Sequence, residues 1–173
     1  MKLLKRYLIF TVLIFLFVCL CGCPYESKCP LSRISKATID KKLIGKWEPR
    51  GEKGKELGMV MIYPYNAHEC LIVTKEKTEE DVELMRAFGT TINGYKFLNV
   101  QYINWKSAAE RKWFFVNYSF SHKRLEWRTV EEKIFKGKKF GSCEELLAFI
   151  KDNLNNKSLY PKNPGRPLIR VGK

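Results

Sequence analysis

Trp113-Phe114-Phe115-Val116-Asn117-Tyr118-Ser119-Phe120-Ser121-His122-Lys123-Arg124-Leu125-Glu126-Trp127-Arg128-Thr129-Val130 reads as a β-hairpin, and it decides the fold. Phe114, Val116, Tyr118 and Phe120 fall on one face and Asn117 and Ser119 on the other, the two-residue period of a strand with one buried side. Ser121 to Arg124 is a polar tip, after which Leu125 to Val130 returns. Toward the N-terminus, Tyr95 to Ile103 makes another strand behind Asn93-Gly94, a dipeptide that takes positive φ readily and marks a two-residue hairpin turn. Met59 to Tyr65 and Glu69 to Thr74 form a further hairpin around Asn66-Ala67, with Pro64 at an edge or strand end. Adjacent strands joined by short tips predict an antiparallel meander, and therefore a mainly β domain.

Two helices are expected beside it. Thr78 and Asp81 form a capping-box-like start, Val82, Met85 and Phe88 share a helical face, and Gly89 is a stop signal, so 79–88 is expected to be helical. Ser142 and Glu145 form a second capping box, followed by an apolar stripe of Cys143, Leu146, Leu147, Ile150 and Leu154. This amphipathic helix is expected on the outside of the meander. Residues 156–173 contain three prolines and are expected to be an extended basic tail.

The whole chain has 173 residues, room for one domain, with 45% apolar and 13% aromatic residues. That composition excludes a disordered polyelectrolyte, and six cysteines are too sparse for a small disulfide scaffold. The first residues carry a different signal. Lys2, Lys5 and Arg6 precede Tyr7 to Leu20, a run of 14 residues that is apolar except at Thr11. A membrane span needs roughly 17–25 apolar residues, whereas a secretory h-region needs about 7–15 behind a basic start. Length therefore favours a signal helix over 1–22, with everything downstream exported.

Leu20-Cys21-Gly22-Cys23 follows directly, and it resembles the lipobox of bacterial lipoproteins. The resemblance implies lipid attachment, including palmitate, at Cys23, which becomes the mature N-terminus and tethers the protein to a cell membrane or outer membrane on its extracytoplasmic side. An uncleaved signal anchor is the other reading, and it too keeps the protein on a membrane. Pro24 after the lipidated cysteine is compatible with the outer membrane by the sorting rule of enterobacterial lipoproteins. Removing 22 of the 173 residues leaves 151, and losing Lys2, Lys5 and Arg6 takes the formal net charge from +14 to +11. Cys29, Cys70 and Cys143 then allow one disulfide with one thiol left over, in a pairing the spacing does not choose. At a helix start, Cys143 would be the most reactive of them if exposed. Residues 23–38 lack periodicity and are expected to be a lipidated tether to a domain spanning 39–155.

That domain begins with a short turn leading into Gly45-Lys46-Trp47. With the meander and the late helix, this is similar to the lipocalin-like barrels. The resemblance implies an antiparallel barrel or half-barrel in which the tryptophan of G-x-W closes one end and packs on an arginine from a late strand. Gly45 and Trp47 match the motif, and Arg128 is the expected arginine. Phe114, Val116, Tyr118, Leu125 and Trp127 are then either lining for an apolar ligand or the filling of the barrel, because about eight strands enclose space for only one or the other.

Catalytic chemistry is hard to find. His68 and Cys70 make a single H-x-C pair with no second pair to complete a tetrahedral site, so no metal or cofactor is expected. G-x-S-x-G, H-E-x-x-H, Walker A and G-x-G-x-x-G are all absent from the sequence. The chain is thus expected to be non-enzymatic: a binding module for an apolar small molecule or lipid, or else an envelope scaffold or interaction subunit with a filled barrel. Export argues against nucleic acid as the partner of the basic surface. Lys133, Lys136, Lys138 and Lys139, with the tail cations, are instead suited to anionic lipid head groups.

Overall fold

The computed structural model describes residues 24–49, 58–75, 82–103, 111–162 and 165–172, and its centre is a closed antiparallel barrel of eight strands. A two-residue strand, β1 (Glu26–Ser27), precedes them. The barrel strands are β2 (Gly45–Pro49), β3 (Met59–Pro64), β4 (Cys70–Lys75), β5 (Val82–Ile92), β6 (Tyr95–Tyr102), β7 (Trp113–Ser121), β8 (Arg124–Thr129) and β9 (Leu168–Val171). They run β7-β6-β5-β4-β3-β2-β9-β8, β8 pairs back onto β7, and β1 pairs with the start of β7 beyond the end of β8. One α-helix, α1 (Cys143–Asp152), follows β8. The signal segment 1–22 and Cys23 lie outside the described residues.

Turn chemistry sets the register. Asn93 (φ 48°) and Gly94 (φ 84°) both take positive φ between the paired residues Ile92 and Tyr95, the geometry whose twist suits a two-residue hairpin. His122 (φ 57°) plays a similar part in the tip that joins Ser121 to Arg124. The β3–β4 hairpin closes with Pro64 opposite Cys70, and its loop holds together because the Tyr65 and Asn66 amides both donate to the Glu69 carbonyl.

The structure corrects two expectations about elements. No helix covers the described part of 79–88, since Val82 to Ile92 is β5, paired along its length with β4 and β6. Its Met85 and Ala87 face the barrel interior and its Phe88 and Ile92 the opposite side, so apolar residues on two covered faces imitated a helical spacing. The chain beyond 155 is also more than an extended tail. Leu168–Val171 is inserted between β2 and β8, and without it the barrel would remain open there.

Two apolar clusters share the sheet. Inside lie Leu43, Trp47, Ile62, Ile72, Met85, Leu98, Val100, Tyr118, Leu125 and Leu168. On the opposite face of β5 to β7, Phe88, Phe97, Trp113 and Phe115 pack with Leu31, Val130, Phe135, Leu146, Ile150 and Leu159. α1 contributes Leu146 and Ile150 to that second cluster, and the Ser142 hydroxyl caps its start by accepting from the Glu145 amide at 3.2 Å.

The expected tether is held against this wall. Leu31 and Ala37 are buried, Cys29 is disulfide-bonded to Cys143, and the Leu31 amide donates to the Asn99 carboxamide oxygen at 2.7 Å. Asn99, fully buried on β6, also donates from its nitrogen to the Phe88 carbonyl and the Thr90 hydroxyl. A buried amide left unpaired would destabilise the sheet, so these three bonds satisfy Asn99, and the first of them ties the N-terminal segment to β6.

Candidate functional site

Trp47, in the middle of β2, is buried in the interior cluster. It is 2% exposed, its indole Nε1 donates to the Leu43 carbonyl at 2.7 Å, and the Phe120 ring lies 6.1 Å away. The guanidinium of Arg170, on β9, stacks over the indole at 4.8 Å and also donates to the Lys42 carbonyl. Gly45 (φ 142°) lets the chain enter β2, and a Cβ there would meet the Arg170 guanidinium at 3.6 Å. Arg170, rather than Arg128, is therefore the arginine on Trp47. Arg128 stacks over Tyr160 at 4.3 Å and donates to the Asn117 carboxamide oxygen at 3.2 Å. Strand alternation explains the difference: with Leu125 and Trp127 turned inward, residue 128 must turn out.

The five residues considered for a ligand lining all join the interior cluster. Tyr118 and Leu125 are buried within it, and Phe114, Val116 and Trp127 pack against it half-buried. Tyr118 meets Phe120 edge-on at 5.9 Å, and Phe114 lies 5.6 Å from Tyr102. The Trp127 indole donates to the Arg166 carbonyl, and Gly165 lies so close that a Cβ there would fall 2.5 Å from the ring. Beside Cys70, Leu43, Ala87 and Leu98 the free space is about 10 Å³, no more than the smallest space that holds a water molecule.

A larger cleft, of about 440 Å³, opens between residues 32–40 and the β5–β6 hairpin. Its walls are polar: Ser32, Lys36, Thr38, Asp40, Thr90 and Lys96, with Tyr118 at the back. Asp40 collects most of the polar contacts. Its carboxylate accepts from Lys96 Nζ at 2.7 Å, from the Lys42 amide at 3.1 Å and from the Tyr118 phenol at 3.4 Å. Partial burial acts to raise its pKa, but those bonds and the Lys96 charge outweigh that and hold it below the ordinary carboxylate value. Tyr118 moves the other way, pushed well above the usual phenol range by burial first and by the neighbouring Asp40 charge second. Asp40 is thus shared between Lys96 and Tyr118 within the cleft.

His68 and Cys70 do not converge on a ligand position. A His68 ring nitrogen is 2.7 Å from the Ala37 carbonyl oxygen, and the Cys70 thiol points to the Ala87 carbonyl at 3.4 Å. Burial, with a smaller contribution from Glu69, pushes the Cys70 pKa up to about 11, leaving a protonated and unreactive thiol. Cys143, the expected reactive cysteine, is in the disulfide. Among the described residues no helix is long and apolar enough to cross a membrane. No protein-family model, curated protein or solved structure matches this chain.

Proposed function

We propose that the protein is a bacterial envelope lipoprotein, anchored by lipid at Cys23, whose lipocalin-like barrel is a non-enzymatic scaffold or interaction subunit that works through its outer surface. The filled interior carries this reading. Side chains from all eight strands meet in the interior cluster, and the free space beside Leu43, Cys70, Ala87 and Leu98 is about 10 Å³. The basic start, the 14-residue apolar run and the lipobox-like Leu20-Cys21-Gly22-Cys23 support export and anchoring. The Cys29–Cys143 disulfide fits an oxidising compartment.

The alternative is the interior ligand that the same residues suggest as lining. Titrating soluble residues 24–173 with an apolar fluorescent probe separates the two. The filled barrel predicts no saturable binding at micromolar probe. Saturable binding that disappears in Trp127→Ala or Tyr118→Ala would establish the apolar-ligand module instead.

A further inference from the structure

We infer that the protein lies side-on against its membrane, with the wall formed by β1 and the 131–139 segment facing anionic lipid head groups. The inference rests on lipid attachment at Cys23 and adds to it which face meets the bilayer. Cys23 is bonded to Pro24, so their Cα atoms are about 3.8 Å apart. Pro24 is already part of the folded wall: it bridges to Glu131, and the next amide, of Tyr25, donates to the Val130 carbonyl at 2.9 Å. The Tyr25 ring stacks on Phe135 with centroids 3.7 Å apart. Four residues further on, the Cys29–Cys143 disulfide ties the segment to the start of α1. An acyl chain on Cys23 must enter the bilayer within one residue of this wall, so the wall has no slack with which to leave the surface.

Lysines surround that point. Lys133 pairs with Glu131, the residue that bridges to Pro24. Beyond it the chain turns, with the Lys136 amide donating to the Lys133 carbonyl and the Lys138 amide to the Phe135 carbonyl, and Gly137 (φ 77°) sits between them. Lys136, Lys138 and Lys139 are all exposed, and among the described residues none is paired with a carboxylate. Lys138 lies over the Phe149 ring at 5.0 Å, which holds it beside the turn. Glu132 is the exposed acidic residue of the segment and offsets one of the lysines. Cations within about 8 Å of an anionic surface are attracted at physiological salt, whereas cations further away are largely screened. The one-residue anchor keeps this cluster near the surface. Lys46, exposed on β2, projects from the barrel three strands round from β7 and away from this wall.

The test is amine acetylation, read lysine by lysine by mass spectrometry, of the full-length protein purified with its lipid. It is reconstituted into vesicles of phosphatidylcholine with phosphatidylglycerol and compared with the same protein in neutral detergent. Side-on docking predicts that Lys136, Lys138 and Lys139 are acetylated severalfold more slowly in the vesicles, while Lys46 reacts at an unchanged rate. It also predicts that vesicles of phosphatidylcholine alone give a smaller protection. Equal protection factors for all four lysines in the anionic vesicles, with the Cys23 peptide carrying its acyl mass, would overturn the docking and leave the anchor standing. A Cys23 peptide without acyl mass would overturn both. The variant K136Q/K138Q/K139Q, with unchanged fold by circular dichroism, should raise the reactivity of Lys133 in the anionic vesicles, and unchanged protection of Lys133 would contradict a charge-driven contact.

Discussion

At the scale of single residues, the arginine on Trp47 is a test of strand parity. Leu125 and Trp127 facing inward force Arg128 outward, and the role on Trp47 falls to Arg170, which shares the inner face of β9 with Leu168. Arg170→Ala should therefore shift the Trp47 indole N–H resonance and destabilise the fold by about 1 kcal/mol, the size of one exposed cation–π contact plus one hydrogen bond. Arg128→Ala should leave that resonance in place, and the reverse pattern in the two spectra would refute the assignment. Asp40 makes a second prediction. Its folded pKa lies below its unfolded value, so its contribution is present above the ordinary carboxylate pKa and is lost as pH falls through the folded one. The carboxylate is partly buried but its partner Lys96 is exposed to solvent, so the effect should amount to about 1 kcal/mol. Denaturation midpoints for the native protein and Asp40→Asn should accordingly converge as pH falls below about 4. A gap that widens in acid would show the sign to be wrong. Asn99 was not legible as a site residue, because its place between Leu98 and Val100 reads as the polar member of an alternating strand. Its three bonds depend on where Leu31 and Thr90 come to lie, and that is a tertiary fact.

At the scale of elements, legibility followed turn chemistry. The Asn93-Gly94 and Ser121–Arg124 hairpins and the capping box of α1 are local signals, and each sits where the sequence places it. The first of these also held the information that undoes the helix expected over 79–88. A two-residue turn with both φ angles positive needs a strand on each side, so Ile92 and the residues before it had to be extended. β9 was hidden for another reason. Four residues with an inward arginine, following Pro164 and Pro167, present almost no periodic signal, and their place is set by the gap between β2 and β8. The segment 24–38 likewise reads as linker because its anchors are scattered single contacts, among them a disulfide, a buried leucine and a side-chain amide. The disulfide makes it testable. It closes a loop across 114 positions of sequence, and losing such a crosslink usually costs 2–5 kcal/mol in a small exported domain, so Cys29→Ser should lower stability by about 3 kcal/mol in chemical denaturation. Equal stability with and without reductant would mean that the bond does not hold the segment to α1.

At the scale of the whole molecule, size and strand number leave little choice. Eight strands enclose a lumen about as wide as their own side chains, and Trp47, Met85, Tyr118 and Leu125 pack inside it. On the proposed function recognition belongs to the outer surface, and the position of that surface follows from how the chain is attached. Pro24 is already paired with Glu131, so a lipid on the preceding cysteine would leave the barrel on its membrane without a stalk. Attachment at that cysteine is the premise on which the location, the working surface and the lysine-rich face all depend. Intact mass of the native protein, with palmitate labelling of wild type and Cys23→Ser, tests it most directly. The expected result is a chain that starts at Cys23 with added acyl mass and a label that the serine variant loses. A chain that keeps its first 22 residues, or equal labelling of the two proteins, would contradict it.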